Sequence, residues 1–398
     1  MNNYRFFLLL LGMLCQPIFS IAQADSSKNI NISGIPIVAS SPETGFKFGA
    51  FSQVSFDAFK DMGVSRPSQV KIGITYSVKR QFSTETTWQL FDRNENYYIT
   101  GNIEYQNWVD RHYGLGSDAS NLIIEYSNGS IIPDTLNFLN YKINVFNSRL
   151  EVNKKIAKGW YMGLALNIYH ANNFEILADS VLLTTSEIQP NNMIGQYYGI
   201  GLNLLYDTRS NINNPLTGGF FQFKNLFHRK WLGADYQFTT ISLDARKYFN
   251  FHKDQTFALR AQVAGTFSSG DIPFTGYQRL GGKKVLRGYY DGTYLDKHLM
   301  AFDVEYRLPL WQDDSEPIWK IWKHLGIVGF ISTGQVFSDY NTFSLSDFQW
   351  SAGGGLRILL SKKQRVNIRI DYGVGFEEDA GGIGKKQRGF YMTINETF

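Results

Sequence analysis

The sequence predicts an all-β fold, a transmembrane antiparallel β-barrel, from a hydrophobic period of two, segments of membrane-spanning strand length, and an export signal ahead of them. Val70, Ile72, Ile74, Tyr76 and Val78 alternate with Lys71, Gly73, Thr75, Ser77 and Lys79, which puts the apolar side chains on one face of a strand and the polar ones on the other. The register recurs in Leu259, Ala261 and Val263, in Phe302, Val304, Tyr306 and Leu308, and most regularly in Val366, Ile368, Ile370, Tyr372 and Val374. A soluble sandwich shares the period, because it buries the apolar face that a membrane barrel turns outward. Length separates the two. These segments run to about ten residues, as a tilted membrane-crossing strand needs, where most strands have about five or six.

From the N-terminus, Arg5, the apolar run Phe6 to Leu14 and the small-x-small sequence Ser20-Ile21-Ala22 read as a cleaved signal peptide over residues 1–22. The run is shorter than the about 20 residues that a membrane anchor requires. Cys15, the single cysteine, falls inside it, so the exported chain is expected to have no disulfide and no cysteine-based metal site; bulky Leu14 argues against a lipoprotein. Residues 23–35 read as a short N-terminal segment and 36–398 as one barrel domain without repeat or linker. Aromatic residues make up 16% of the chain, and Trp88, Phe91, Tyr97, Trp108, Trp160 and Tyr161 stand near strand ends, as an interfacial girdle would. About fifteen segments match the alternating template, and barrels favour even counts, which predicts 16 strands, with 14 the next candidate. The tight turn Ser361 to Gln364 is expected on the periplasmic side, and the stretches Ser338 to Asp347 and Phe376 to Gly389 outside. By the same count the stretch Trp311 to Lys323 is expected on the periplasmic side, long for a turn, and a short helix there would set Trp319 and Trp322 at the interface.

Between the strands ending near Phe267 and starting near His298 lies a connection too long for an ordinary turn. It carries Arg279-Leu280-Gly281-Gly282 and Leu286-Arg287-Gly288-Tyr289. Around it, in order, stand Pro42-Glu43-Thr44-Gly45, Tyr113-Gly114-Leu115-Gly116, Asp207-Thr208-Arg209 with Pro215 and Gly218, Gly353-Gly354-Gly355-Leu356-Arg357, and Asn395-Glu396-Thr397-Phe398. Together these motifs, spanning Pro42 to Phe398, resemble the BamA/TamA-type bacterial surface antigen superfamily of outer-membrane barrels. The resemblance implies that the long connection is an extracellular loop folded back into the lumen, with Arg287, Gly288 and Tyr289 at its tip and Arg287 paired to acidic side chains of the inner wall. A guanidinium there needs a carboxylate to offset its desolvation. Glu305 matches the family's first acidic partner, and the alternation independently places it on the polar face. At the second, where the family has Phe-x-Asp-x-Gly, this chain has Phe330-Ile331-Ser332-Thr333-Gly334. Ser332 stands at the acidic position, and Asp371, on an inward-facing register, is the candidate to compensate. Phe390, Tyr391 and Phe398 are expected to form the C-terminal sorting signal. The first-to-last seam is expected between Gly45 to Phe59 and Gly389 to Phe398.

The resemblance implies residence in the cell outer membrane, contact with its lipid, and assistance to protein insertion or translocation. The family's insertases and secretion channels carry periplasmic polypeptide-transport-associated domains before the barrel, for which this sequence leaves no room. The expected partners are therefore a separate periplasmic protein and a client β-barrel protein. The alternative is a gated pore or structural barrel without clients. A net charge of +4 without a basic cluster argues against nucleic acid as a partner. An enzyme is not expected: His112, His170, His228, His252, His298 and His324 show neither metal-ligand spacing nor a serine partner. Nor is a nucleophile elbow present, and Gly281-Gly282-Lys283-Lys284 lacks the spacing of a phosphate loop. No cofactor or metal is expected.

Overall fold

The computed structural model describes residues 30–41, 44–56, 66–92, 94–117, 138–177, 193–252, 254–310, 324–361, 365–377 and 386–398. Its strands are β1 (Ile30–Ser41), β2 (Gly45–Phe56), β3 (Ser68–Ser77), β4 (Phe82–Phe91), β5 (Tyr97–His112), β6 (Leu139–Ala157), β7 (Trp160–Ile176), β8 (Gly195–Asp207), β9 (Gly218–His228), β10 (Phe238–Asn250), β11 (Thr256–Phe267), β12 (Gln278–Leu280), β13 (Tyr294–Asp296), β14 (His298–Pro309), β15 (Leu325–Phe337), β16 (Gln349–Ser361), β17 (Val366–Gly375) and β18 (Arg388–Ile394). All but β12 and β13 join one 16-stranded sheet in chain order, each pairing antiparallel with the next. The strand number is the one the alternation predicts. β12 and β13 form a two-stranded ribbon inside the long connection between β11 and β14. The sheet curls until β1 and β18 come within 8 Å between Cα atoms, yet among the described residues no hydrogen-bonded ladder joins them.

Burial is inverted relative to a water-soluble sheet. On β3, Ile72, Ile74 and Tyr76 are exposed; on β14, Phe302 and Tyr306 are exposed while Asp303, Glu305 and Arg307 are buried; on β17, Tyr372 is exposed while Asn367, Arg369 and Asp371 are buried. Because successive side chains point to opposite faces, one register on each of these strands turns these apolar residues toward lipid and these charges inward. The two ends of the sheet differ. At one end the two residues Lys158 and Gly159 join β6 to β7; at the other the chain takes residues 268–297 to pass from β11 to β14.

Three expectations need correction. β1 begins at Ile30, inside the segment 23–35 that the sequence reading kept apart from the barrel, and its ladder with β2 runs from Ile30 opposite Phe56 to Ser41 opposite Gly45. Thr44 and Gly45 consequently lie at the β1–β2 turn and the start of β2, not in the first strand. The seam belongs to β1 and β18, since β2, which holds Gly45 to Phe56, is paired on both sides. Half of the proposed girdle is also internal. Phe91 and Tyr161 are buried in one cluster with Tyr98 and Leu205, and Trp108 packs against the loop with the Arg279 guanidinium over its ring. Proximity to a strand end does not decide the face: Trp160 points out, so Tyr161 must point in. The signal peptide with Cys15, the stretch 311–323 and the turn residues 362–364 lie outside the described residues.

Candidate functional site: the loop tip against the inner wall

The connection 268–297 crosses the barrel interior and is fastened at several points. At its near end Arg279 donates through Nη2 to Asp110 Oδ2 of β5 at 2.5 Å, and the Tyr141 hydroxyl of β6 donates to the same oxygen at 3.1 Å. Leu280, Leu286, Tyr289 and Tyr294 of the loop then bury themselves against Tyr113 and against Leu299, Ala301 and Val336 of β14 and β15. The loop backbone is held by arginines of the wall: Arg369 donates to the Lys283 carbonyl at 3.3 Å and Arg260 to the Lys284 carbonyl at 3.2 Å.

Arg287 has no exposed surface. Its guanidinium donates through Nη2 to Glu305 of β14 and through Nη1 to Asp371 Oδ2 of β17 at 2.6 Å, with the Phe330 ring 3.6 Å from its Cζ. Ser332 is not among its partners: the Ser332 hydroxyl donates to Asp303 Oδ1 at 2.6 Å. The two carboxylates on Arg287 are shared in turn. Arg307 donates to Glu305 Oε2 at 2.8 Å, and Arg357 to Asp371 Oδ1 at 2.6 Å. Glu396 lies between those arginines, 2.8 Å from Arg357 Nε and 3.9 Å from Arg307 Nε. The result is a closed ring of six alternating charges, in the order Arg287, Glu305, Arg307, Glu396, Arg357 and Asp371, with Arg369 3.5 Å outside it from Asp371. Each arginine of the ring therefore meets carboxylate on two sides, the condition under which ionised groups survive away from water.

The two residues after Arg287 set its position. Gly288 has φ +122°, and a Cβ there would lie 2.7 Å from the Val374 carbonyl carbon and 2.8 Å from the Gly375 nitrogen. The tip thus rests directly on the backbone of β17, whose Gly373 and Gly375 leave space for the Arg287 carbonyl and the Tyr289 ring. The Tyr289 hydroxyl donates to the Trp350 carbonyl at 3.1 Å and accepts the Glu377 amide at 3.0 Å. Tyr391 of β18 points inward to this tip. Its hydroxyl donates to the Tyr289 carbonyl at 2.9 Å and accepts the Gly288 amide at 3.2 Å. Of the three residues assigned to the sorting signal, Phe390 is exposed on the outer face, whereas Tyr391 and Phe398 are buried inside.

The sequence reading named Arg287, Glu305 and Asp371 but assigned no role to Arg307, Arg357, Arg369 or Glu396. Arg307 and Arg369 carried a usable signal: each stands two residues from an inward carboxylate and so shares its face. Glu396 carried none, because it lies beyond the last strand, where alternation no longer fixes direction.

The fold and site together define a transmembrane barrel whose longest loop is ion-paired to its own inner wall. This chain belongs to the Omp85 superfamily, whose domain model matches residues 66–398. It is thus an outer-membrane barrel. Among solved structures it is similar to BamA from Haemophilus ducreyi lacking POTRA domains 1–3, at 13% identity and TM-score 0.57, covering 93% of this chain and 71% of that one. It is also similar to CdiB from Acinetobacter baumannii, at 12% identity and TM-score 0.54, covering 93% of this chain and 60% of that one. CdiB from Escherichia coli matches at 13% identity and TM-score 0.55, over 94% of this chain and 63% of that one. The chain thus spans less than two thirds of either CdiB. No curated protein matches the sequence.

Proposed function

We propose that this barrel resides in the cell outer membrane and assists the insertion or translocation of other proteins, with a separate periplasmic protein receiving the client. One observation carries the reading. β1 and β18 lie side by side, and among the described residues no ladder joins them. An unpaired strand edge exposes N–H and C=O groups on which a client strand can add, so the β1–β18 seam is the proposed site of client entry. The short-turn end, with Lys158 and Gly159, faces the periplasm in this reading, and the end bearing the connection 268–297 faces outward. The second reading, a gated pore or structural barrel without clients, draws support from the ion-paired loop tip inside the barrel. A catalytic role forms no part of either reading.

Co-purification of the tagged protein from outer membranes in mild detergent, followed by mass spectrometry, tests the choice. Recovery of a periplasmic factor or of nascent β-barrels is the expected result. A partnerless barrel that conducts ions in planar bilayers would overturn the protein-handling reading in favour of the pore.

A further inference from the structure

We propose that β18 and the residues after it act as a latch on the loop tip, so that retention of Arg287 in the lumen and closure of the β1–β18 seam form one coupled equilibrium. The second half of this proposal rests on reading that seam as one that opens; the grip on the loop does not.

β18 holds the tip at two levels. At its middle, the Tyr391 hydroxyl bridges the Gly288 amide and the Tyr289 carbonyl. Gly389, two residues earlier on the same face, makes this possible, since a Cβ there would lie 2.1 Å from the Tyr391 hydroxyl. Beyond the end of β18, Glu396 closes the charge ring between Arg307 and Arg357, and Asn367 donates to it at 2.6 Å. The Phe398 carbonyl accepts from Arg307 at 3.0 Å, and the Thr397 hydroxyl from Arg369. These contacts weigh heavily because, among the described residues, β18 has a ladder on one side only, from Val374 opposite Arg388 to Ile368 opposite Ile394.

The coupling follows from charge. With Glu396 in place, three arginines alternate with three carboxylates. If β18 swings outward it withdraws Glu396 and Tyr391 together, and Arg287, Arg307 and Arg357 are left to share Glu305 and Asp371. Mutual repulsion then favours release of Arg287, the one arginine carried on a loop. Departure of the tip removes two hydrogen-bond partners of the Tyr391 hydroxyl, the Gly288 amide and the Tyr289 carbonyl, and so loosens β18. Linkage requires the two effects to be equal in free energy.

Hydrogen–deuterium exchange on the full chain in lipid vesicles tests the latch, with heat-modifiable gel mobility to establish that each variant is folded. Tyr391→Phe removes one hydroxyl and Glu396→Gln one charge. Each is expected to speed amide exchange over residues 286–290 by about five- to tenfold, the effect of losing one or two hydrogen bonds. In the reverse direction, Gly288→Ala, which displaces the tip, is expected to speed exchange in β18 and leave the interior strand β7 unchanged. Parental exchange at the tip in both Tyr391→Phe and Glu396→Gln overturns the latch. Faster exchange at the tip with β18 indifferent to Gly288→Ala overturns the coupling. Client capture is measured separately with the parent chain: its failure would defeat the protein-handling reading while leaving the exchange result standing.

Discussion

Arg287 owes its place to neighbours that would each be unfavourable alone. Asp371 is the carboxylate on which two ring arginines and Arg369 converge, so Asp371→Asn should cost about 3–5 kcal/mol of barrel stability, the range for breaking a buried pair from one side. Urea unfolding in lipid vesicles measures it, and a loss below about 1 kcal/mol would refute the role. Ser332 leads to a prediction opposite to the one its motif suggests. Although the resemblance places an acidic residue there, the Ser332 hydroxyl is bonded to Asp303, and Ser332→Asp would set two carboxylates face to face. That variant is expected to be less stable than the parent, and a gain would show that Arg287 can be recruited to the second position. Gly288→Ala meets both a positive φ and the β17 backbone, and should lose about 1–3 kcal/mol while opening Arg287 to trypsin added from outside.

At the level of the strands, one parity rule governs most of what is seen. Ile72 lies at the middle of β3 on the exposed face, so Ile72→Arg should destabilise folding into vesicles by about 2–4 kcal/mol, as a charge on the lipid face near the bilayer centre does. The inward-facing Asn102 of β5, opposite Thr87 and Arg149, should accept Asn102→Asp within about 0.5 kcal/mol. Equal losses at the two positions would contradict the inverted burial. The same rule explains the aromatic misreading: Trp160 and Tyr97 are exposed, and the rings immediately following them, Tyr161 and Tyr98, are necessarily internal.

For the whole molecule, the decisive element is the seam. If clients enter between β1 and β18, a pair of cysteines placed across these strands and oxidised should block assembly of newly made outer-membrane barrels, and reduction should restore it. Assembly that proceeds through a locked seam would count against strand addition as the mechanism. The parent contributes no cysteine within the described residues, which keeps the engineered pair unambiguous. The outcome also separates the two readings of function, because a pore should conduct ions whether or not its seam is locked.

The sequence by itself determined the class of fold and the inward direction of the charges on its most regular strands, because a period of two is a local property read from a few neighbouring residues, whereas the count of 16 also needed the preference of barrels for even numbers. Glu305 and Asp371 could be placed on the inner face in this way, and the motif resemblance added Ser332. Which of them meets Arg287 was decided by tertiary structure. The contact with Asp371 spans 84 residues of chain, and it depends on the course of a loop whose tip must rest on Gly373 and Gly375. Tertiary structure also decided the start of the barrel at β1, the inward turn of Glu396 and Phe398, and the bridge from Tyr391 to the tip. Each of these rests on pairings between distant segments, where curvature of the sheet brings side chains together that no local pattern relates.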